Sequence, residues 1–148
     1  MGRRRLAREI ALQALYVADV APGAADEAFA IVTRRRDGDE ADAETLDFAR
    51  VLVAGTLGMR DALDALIAQK AANWTLPRMA AVDRNVLRLA AYELEARPDT
   101  PVGVIIDEAI EIVRKYSAEE ATRFVNGVLD GLKARRPAKK KNARKKEP

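Results

Sequence analysis

An all-α fold of about six to seven helices is predicted by three features of the 148-residue sequence. Alanine, the best helix former, occurs 29 times. Apolar residues recur at the 3.6-residue spacing of one helix face, and almost no stretch alternates β-branched with polar residues as a strand would. The connections are short and marked by Pro or Gly, which implies antiparallel neighbours.

The first helix is predicted over residues 4–20. Leu6, Ile10, Ala14 and Val17 form its inward stripe, Arg4 and Arg8 point away, and Pro22 and Gly23 stop it. A short second helix over 26–36 turns Phe29 and Val32 inward, and Asp37, Gly38 and Asp39 form a turn. A long third helix over 43–72 carries Leu46, Ala49, Val53, Leu57, Leu63 and Ile67, with Gly55 and Gly58 as points of bending or close packing. Trp74 to Pro77 interrupts the pattern, and Pro77 suits the first turn of a fourth helix that buries Met79, Val82, Val86, Leu89 and Ala90 and ends near Arg97 and Pro98. Thr100 and Pro101 read as N-cap and first residue of a fifth helix, with Val102, Ile105, Ile106, Ala109, Ile110 and Val113 inward. Ser117 and Glu120 have capping-box spacing, opening a sixth helix whose stripe is Ala121, Phe124 or Val125, Val128 and Leu132. The helical domain is expected over 1–134, as sub-bundles of about 1–73 and 74–134. Residues 135–148 are expected to be a basic, disordered tail.

Composition removes much chemistry. With no Cys and no His there is no disulfide, zinc finger, thiol nucleophile or Ser-His-Asp triad. A carboxylate-only Mg²⁺ site is the one metal site that composition leaves open. The acids Asp61, Asp64, Asp83, Glu93, Asp107, Glu108 and Glu111 show no catalytic spacing, and most of them read as solvated helix faces. Neither a P-loop nor GxGxxG occurs. The expectation is a non-enzyme without cofactor or metal. Residues 6–20 are broken by Arg8, Glu9, Gln13 and Asp19, so they lack a signal peptide's apolar core, and no stretch reaches the ~20 apolar residues of a membrane span. A soluble, cytoplasmic protein is expected.

The charge is segregated. Residues 133–148 hold nine Lys/Arg against one Glu, whereas residues 1–132 hold 17 basic and 22 acidic side chains. An acidic body with basic ends points to a polyanion met at the ends, most often nucleic acid. The tail reads either as a solubilising extension or as a source of nonspecific attraction. Arg3, Arg4, Arg5 and Arg8 crowd a helix N-terminus, where positive charge opposes the macrodipole. Guanidinium forks bind phosphate oxygens, so this costly placement suits a phosphate ligand. Within the sixth helix, Arg123 beside Phe124 could pin a phosphate and stack a base, while Phe124 alone also reads as core. Asn126 and Gly127, poor helix-interior residues, read as a close helix–helix approach.

RLARE (5–9) followed by QALY (13–16) resembles the opening helix of the NusB transcription antitermination factors. DRNVLRLAAYEL (83–94) is similar to their central helix, and PVGVIIDEAIE (101–111) and FVNGVLD (124–130) to their last two. These motifs lie in order over residues 3–132. The resemblance implies an all-α fold of two helical sub-bundles. It also implies binding of single-stranded boxA-type RNA together with ribosomal protein S10 (NusE), within an RNA polymerase complex that reads through terminators, notably in ribosomal RNA operons. By the same matching, the RNA contacts would be Arg3, Arg4, Arg5, Arg8, Glu120, Arg123 and Phe124, and the S10 contacts Tyr16 and Asp83. The two RNA-facing groups are expected to fold into one continuous cationic, partly aromatic shelf. Two alternatives stand beside this: the helical domain of an RNA cytosine methyltransferase, which needs a following α/β domain with a cofactor loop, and a pure protein-interaction bundle.

Overall fold

Alanine-rich amphipathic segments assemble into helices whose apolar faces have only each other to pack against. The structure, a computed structural model, describes residues 2–34, 41–72 and 74–136. Asp37, Gly38 and Asp39 of the expected turn, and residues 137–148 of the expected tail, lie outside these. The described residues form seven α-helices and no strand: α1 (Arg3–Val20), α2 (Ala28–Arg34), α3 (Ala43–Gly58), α4 (Arg60–Lys70), α5 (Ala81–Ala96), α6 (Val102–Tyr116) and α7 (Glu119–Lys133). None of them is long and apolar enough to cross a membrane.

Two helices form the centre. In α1 the expected Leu6, Ile10 and Ala14 are buried, but so are Ala7, Ala11, Leu12, Leu15 and Ala18, because α2, α3 and α5 surround it. In α5 every residue from Asn85 to Leu94 is buried, against α1, α3, α4, α6 and α7. Side chains from both halves of the chain join one hydrophobic core. Carboxylate–guanidinium pairs fix the directions: Arg8 to Glu93 and Asp19 to Arg84 run α1 antiparallel to α5.

Proline and glycine set several boundaries differently from the sequence expectation. A 3-10 turn, Pro22–Glu27, precedes α2, which therefore starts at Ala28. Pro77 lies in a second 3-10 turn, Leu76–Arg78, and α5 starts later, at Ala81. Pro101 itself is the N-cap of α6, one residue after the expected Thr100. The capping box does not form. Ser117 ends α6, its N–H donating to the Val113 carbonyl at 2.8 Å, so the N-cap of α7 falls on Ala118 without a side-chain bond. Glu119 and Glu120 in the first turn supply the favourable charge instead.

The long third helix is two. Met59 (φ −112°, ψ 13°) ends α3 and opens α4, turning α4 onto α5 and α7 so that Leu63 and Ile67 are fully buried. Gly55 is a place of close packing, as the sequence suggested: the ring of Tyr92 on α5 occupies the space a Cβ would need. The acids expected to be solvated also differ. Glu93 is buried, Glu108 accepts two bonds from Arg5, and Asp64 accepts two from Arg88.

Candidate nucleic-acid interface

The arginine-rich start of α1 has no side-chain cap and no acid in its first turn, so its charges are met by other helices. Arg3 reaches Asp42 at 2.7 Å and Glu44 at 3.0 Å, at the start of α3. Asp42 also caps α3 by accepting from the Thr45 N–H at 2.8 Å. Hydrogen bonding from Thr45, then from Arg3, holds its carboxyl at about 2. Arg5 donates twice to Glu108, each bond 2.8 Å, and holds that carboxyl below its ordinary range. Arg8 does not point away, contrary to the sequence expectation. Its Nε and Nη2 each donate to Glu93 at 2.8 Å, and the side chains are 5% and 2% exposed. The reason is that this face of α1 packs on α5, so a residue turned toward α5 is interior whatever its polarity.

Arg4 is exposed and, among the described residues, has no ion pair. Its guanidinium lies over the ring of Phe48 at 4.0 Å. Arg97, the C-cap of α5, lies over the same ring at 5.2 Å. A cavity of about 420 Å³ opens beside them, lined by Arg3, Arg4, Glu44, Thr45, Phe48 and Arg97 among others.

A second group gathers at the opposite end of α5. Phe124 is half-buried and meets Trp74 edge to face, centroids 6.3 Å apart, while Trp74 is 51% exposed. They share a cavity of about 350 Å³ with Arg78, Met79, Asp83 and Glu120. The Oδ1 of Asp83 is buried without a partner among the described residues. Arg123 is exposed and has no ion pair among the described residues. Asn126 and Gly127 are also exposed, and a Cβ on Gly127 would meet nothing within 4 Å. The close approach expected there does not occur, because this side of α7 faces away from its neighbours. An aromatic edge, exposed cations and flanking carboxylates can stack a base, grip a phosphate and accept from a base's N–H groups.

The two groups do not form one continuous shelf. Arg4 sits at the C-terminal end of α5 and Phe124 beside Asp83 in its first turn, about 20 Å apart at ~1.5 Å per residue. On α6, Glu108 pairs with Arg5 and Glu111 with Arg114, and Arg114 also reaches Glu119 at the start of α7. Tyr16 is 41% exposed and lines an apolar cavity of about 480 Å³ with Leu12, Val17, Ile31, Val82 and Tyr116. Its neighbour in the expected partner surface, Asp83, opens instead on the Phe124 cavity, so the two cavities border one another across the first turn of α5. Phe48, Arg97 and Trp74 were not singled out as site residues by the sequence. Phe48 and Arg97 carry no local signal, whereas Trp74 was visible as the one tryptophan, in a helix break.

Comparison with known proteins gives one consistent answer. The sequence model of the NusB family matches residues 5–134. The transcription antitermination protein NusB of Trichlorobacter lovleyi is 46% identical over 134 residues, covering 90% of this chain and 92% of the relative. Among solved structures, T. maritima NusB superposes with a TM-score of 0.79 at 36% identity, covering 90% of this chain and 93% of that one. A structure of the antitermination factors NusB and NusE in complex with double-stranded RNA superposes with a TM-score of 0.81 at 27% identity, covering 89% and 96%. On the extent of the family match and of these likenesses, the chain belongs to the NusB family.

Proposed function

We propose that this chain is a non-enzymatic transcription antitermination factor of the cytoplasm that binds single-stranded boxA-type RNA with ribosomal protein S10 (NusE) and promotes processive transcription, notably of ribosomal RNA operons, as part of an RNA polymerase complex. The observation that carries the reading is the pair of exposed arginines without ion pairs among the described residues: Arg4, stacked on the Phe48 ring, and Arg123, next in sequence to Phe124, which meets Trp74. Phosphates give the affinity at both ends of α5, and Phe124 with Trp74 stacks a base. Arg3 and Arg5 contribute from the rim while bound to their carboxylates, Glu120 borders the base, and Arg8 acts through Glu93 by holding α1 on α5. S10 docks on the apolar patch around Tyr16, with Asp83 at its edge. Such docking sets the protein partner directly beside the RNA face.

The test is the affinity for a boxA-type RNA measured against salt, with and without S10. With about four phosphates engaged, log K falls with log salt at a slope near −3, at ~0.7 per contact. Arg123→Ala lowers the slope by about 0.7. A flat salt response, or RNA affinity indifferent to Arg4→Ala and Arg123→Ala together, overturns the reading.

A further inference from the structure

Two like charges share one aromatic ring at the start of α1. The guanidiniums of Arg4 and Arg97 lie 4.0 Å and 5.2 Å from the Phe48 centroid, and neither has an ion pair among the described residues. The third cation near the ring, Arg8 at 5.7 Å, is neutralised by Glu93. Cation–π attraction holds each guanidinium to the ring but does not cancel the repulsion between them. Arg136 adds to it by donating through Nη2 to the Arg97 carbonyl at 2.6 Å, while its Nε and Nη1 are buried without acceptors among the described residues. Among the described residues the Nε of Arg97 is likewise buried without an acceptor, and its Nη atoms donate no hydrogen bond. Glu44, the acid on the cavity wall, is taken by Arg3 at 3.0 Å.

The missing component is an anion. We infer that the cavity between Arg4, Thr45, Phe48 and Arg97 is a phosphate subsite, in which the Nη edges of Arg4 and Arg97 grip the non-bridging oxygens of one RNA phosphodiester. Phe48 is the platform that fixes both forks, and guanidinium geometry suits paired phosphate oxygens as a lysine's point charge does not. The volume, about 420 Å³, holds a phosphate group with bridging waters. Arg97 lies 89 residues after the last of the four N-terminal arginines, so the phosphate-binding group at the start of α1 is completed by a residue from the end of α5. The inference rests on the RNA-binding reading above and names a residue that reading did not contain.

The test uses the full chain. Affinity for a boxA-type RNA is measured against salt for the parent, Arg97→Gln and Phe48→Leu, with circular dichroism as the check on folding. Arg97→Gln weakens binding about tenfold and makes the salt slope shallower by about 0.7. Phe48→Leu keeps both charges, so affinity falls while the slope stays nearly that of the parent. In a second arm, inorganic phosphate is titrated into the parent while the Arg Nε–Hε resonances are followed by NMR, and the Arg97 resonance shifts saturably. A folded Arg97→Gln with unchanged affinity and slope overturns the subsite. If the parent binds no RNA, the functional reading fails, and the phosphate arm decides the subsite alone: an Arg97 resonance that stays put overturns it. If Arg97→Gln does not fold, the same arm on the parent decides.

Discussion

Two parallel N–H···O bonds join Arg8 to Glu93 inside the molecule, 85 residues apart in sequence. A buried pair of this kind adds little net stability over apolar residues of equal volume, because both ions lose their hydration. Cutting it from one side is different, since a charge is left in the interior with no counter-ion. Arg8→Ala therefore destabilises by about 3–5 kcal/mol, whereas Arg8→Met combined with Glu93→Leu recovers most of that loss. Urea unfolding of the parent and these two variants measures both effects. The RNA salt slope of the folded double variant matches the parent's if Arg8 touches no phosphate, and drops by about 0.7 if it does. Nothing local in the sequence betrays this role. A charged residue four positions after Arg4 reads as the same outward face, and only the enclosure of α1 by three other helices turns it inward. The phosphate-type arginines were legible as a group, but their division into Arg4, which has no carboxylate partner among the described residues, and Arg3, Arg5 and Arg8, which are paired, was not.

Helix boundaries were legible at Pro22 and between Pro98 and Pro101, but not at Pro77, which sits in a 3-10 turn ahead of α5, nor where packing dictates them. Pro22 and the Pro98–Pro101 stretch end or open helices within a residue or two of the expected place, because the ring fixes φ and removes a donor. The break at Met59 has no such marker: the apolar stripe runs through it, and the turn exists because α4 must reach α5 and α7. Gly55 shows the same tertiary control. An alanine there would gain about 1 kcal/mol of helix propensity, yet its Cβ would overlap the ring of Tyr92, which is 8% exposed and cannot swing aside freely. Overpacking wins, and Gly55→Ala destabilises by about 1–2 kcal/mol net. In the Tyr92→Leu background the same change becomes neutral or stabilising. A double-mutant cycle by thermal or urea unfolding checks the coupling, and additive effects would show that the ring does not set the requirement for glycine.

At the scale of the molecule, the excess of acid over base in residues 1–132 is not a uniformly solvated coat. Many of the carboxylates tie helices distant in sequence: Glu93 and Asp19 join α1 and α5, Glu108 and Glu9 join α1 and α6, and Asp64 joins α4 and α5. The same pairing leaves the two cationic groups separate at the ends of α5, which segregated charge in a sequence cannot reveal. It also fixes how stability responds to pH. Arg5 lowers the Glu108 carboxyl; burial raises Asp19, but the bonds from Arg84 and Asn85 more than offset it; Thr45 and Arg3 hold Asp42 at about 2. Each acid is stronger folded than unfolded, so its contribution is complete above its ordinary value and disappears as pH falls through the folded value. At the other extreme, burial and the bond to Glu9 raise the Tyr116 hydroxyl, whose contribution is present below its ordinary value of 10.0 and lost as pH climbs beyond it. With no His and no Cys, no side chain has an ordinary pKa between these ranges. The urea midpoint is therefore expected to be flat from about pH 5 to about pH 9, to fall below about pH 4.5, and to fall again above about pH 10. A step between pH 5.5 and 7.5 would require a buried carboxyl displaced upward by neighbours, and would mean that the ion pairs do not hold the helices together as described.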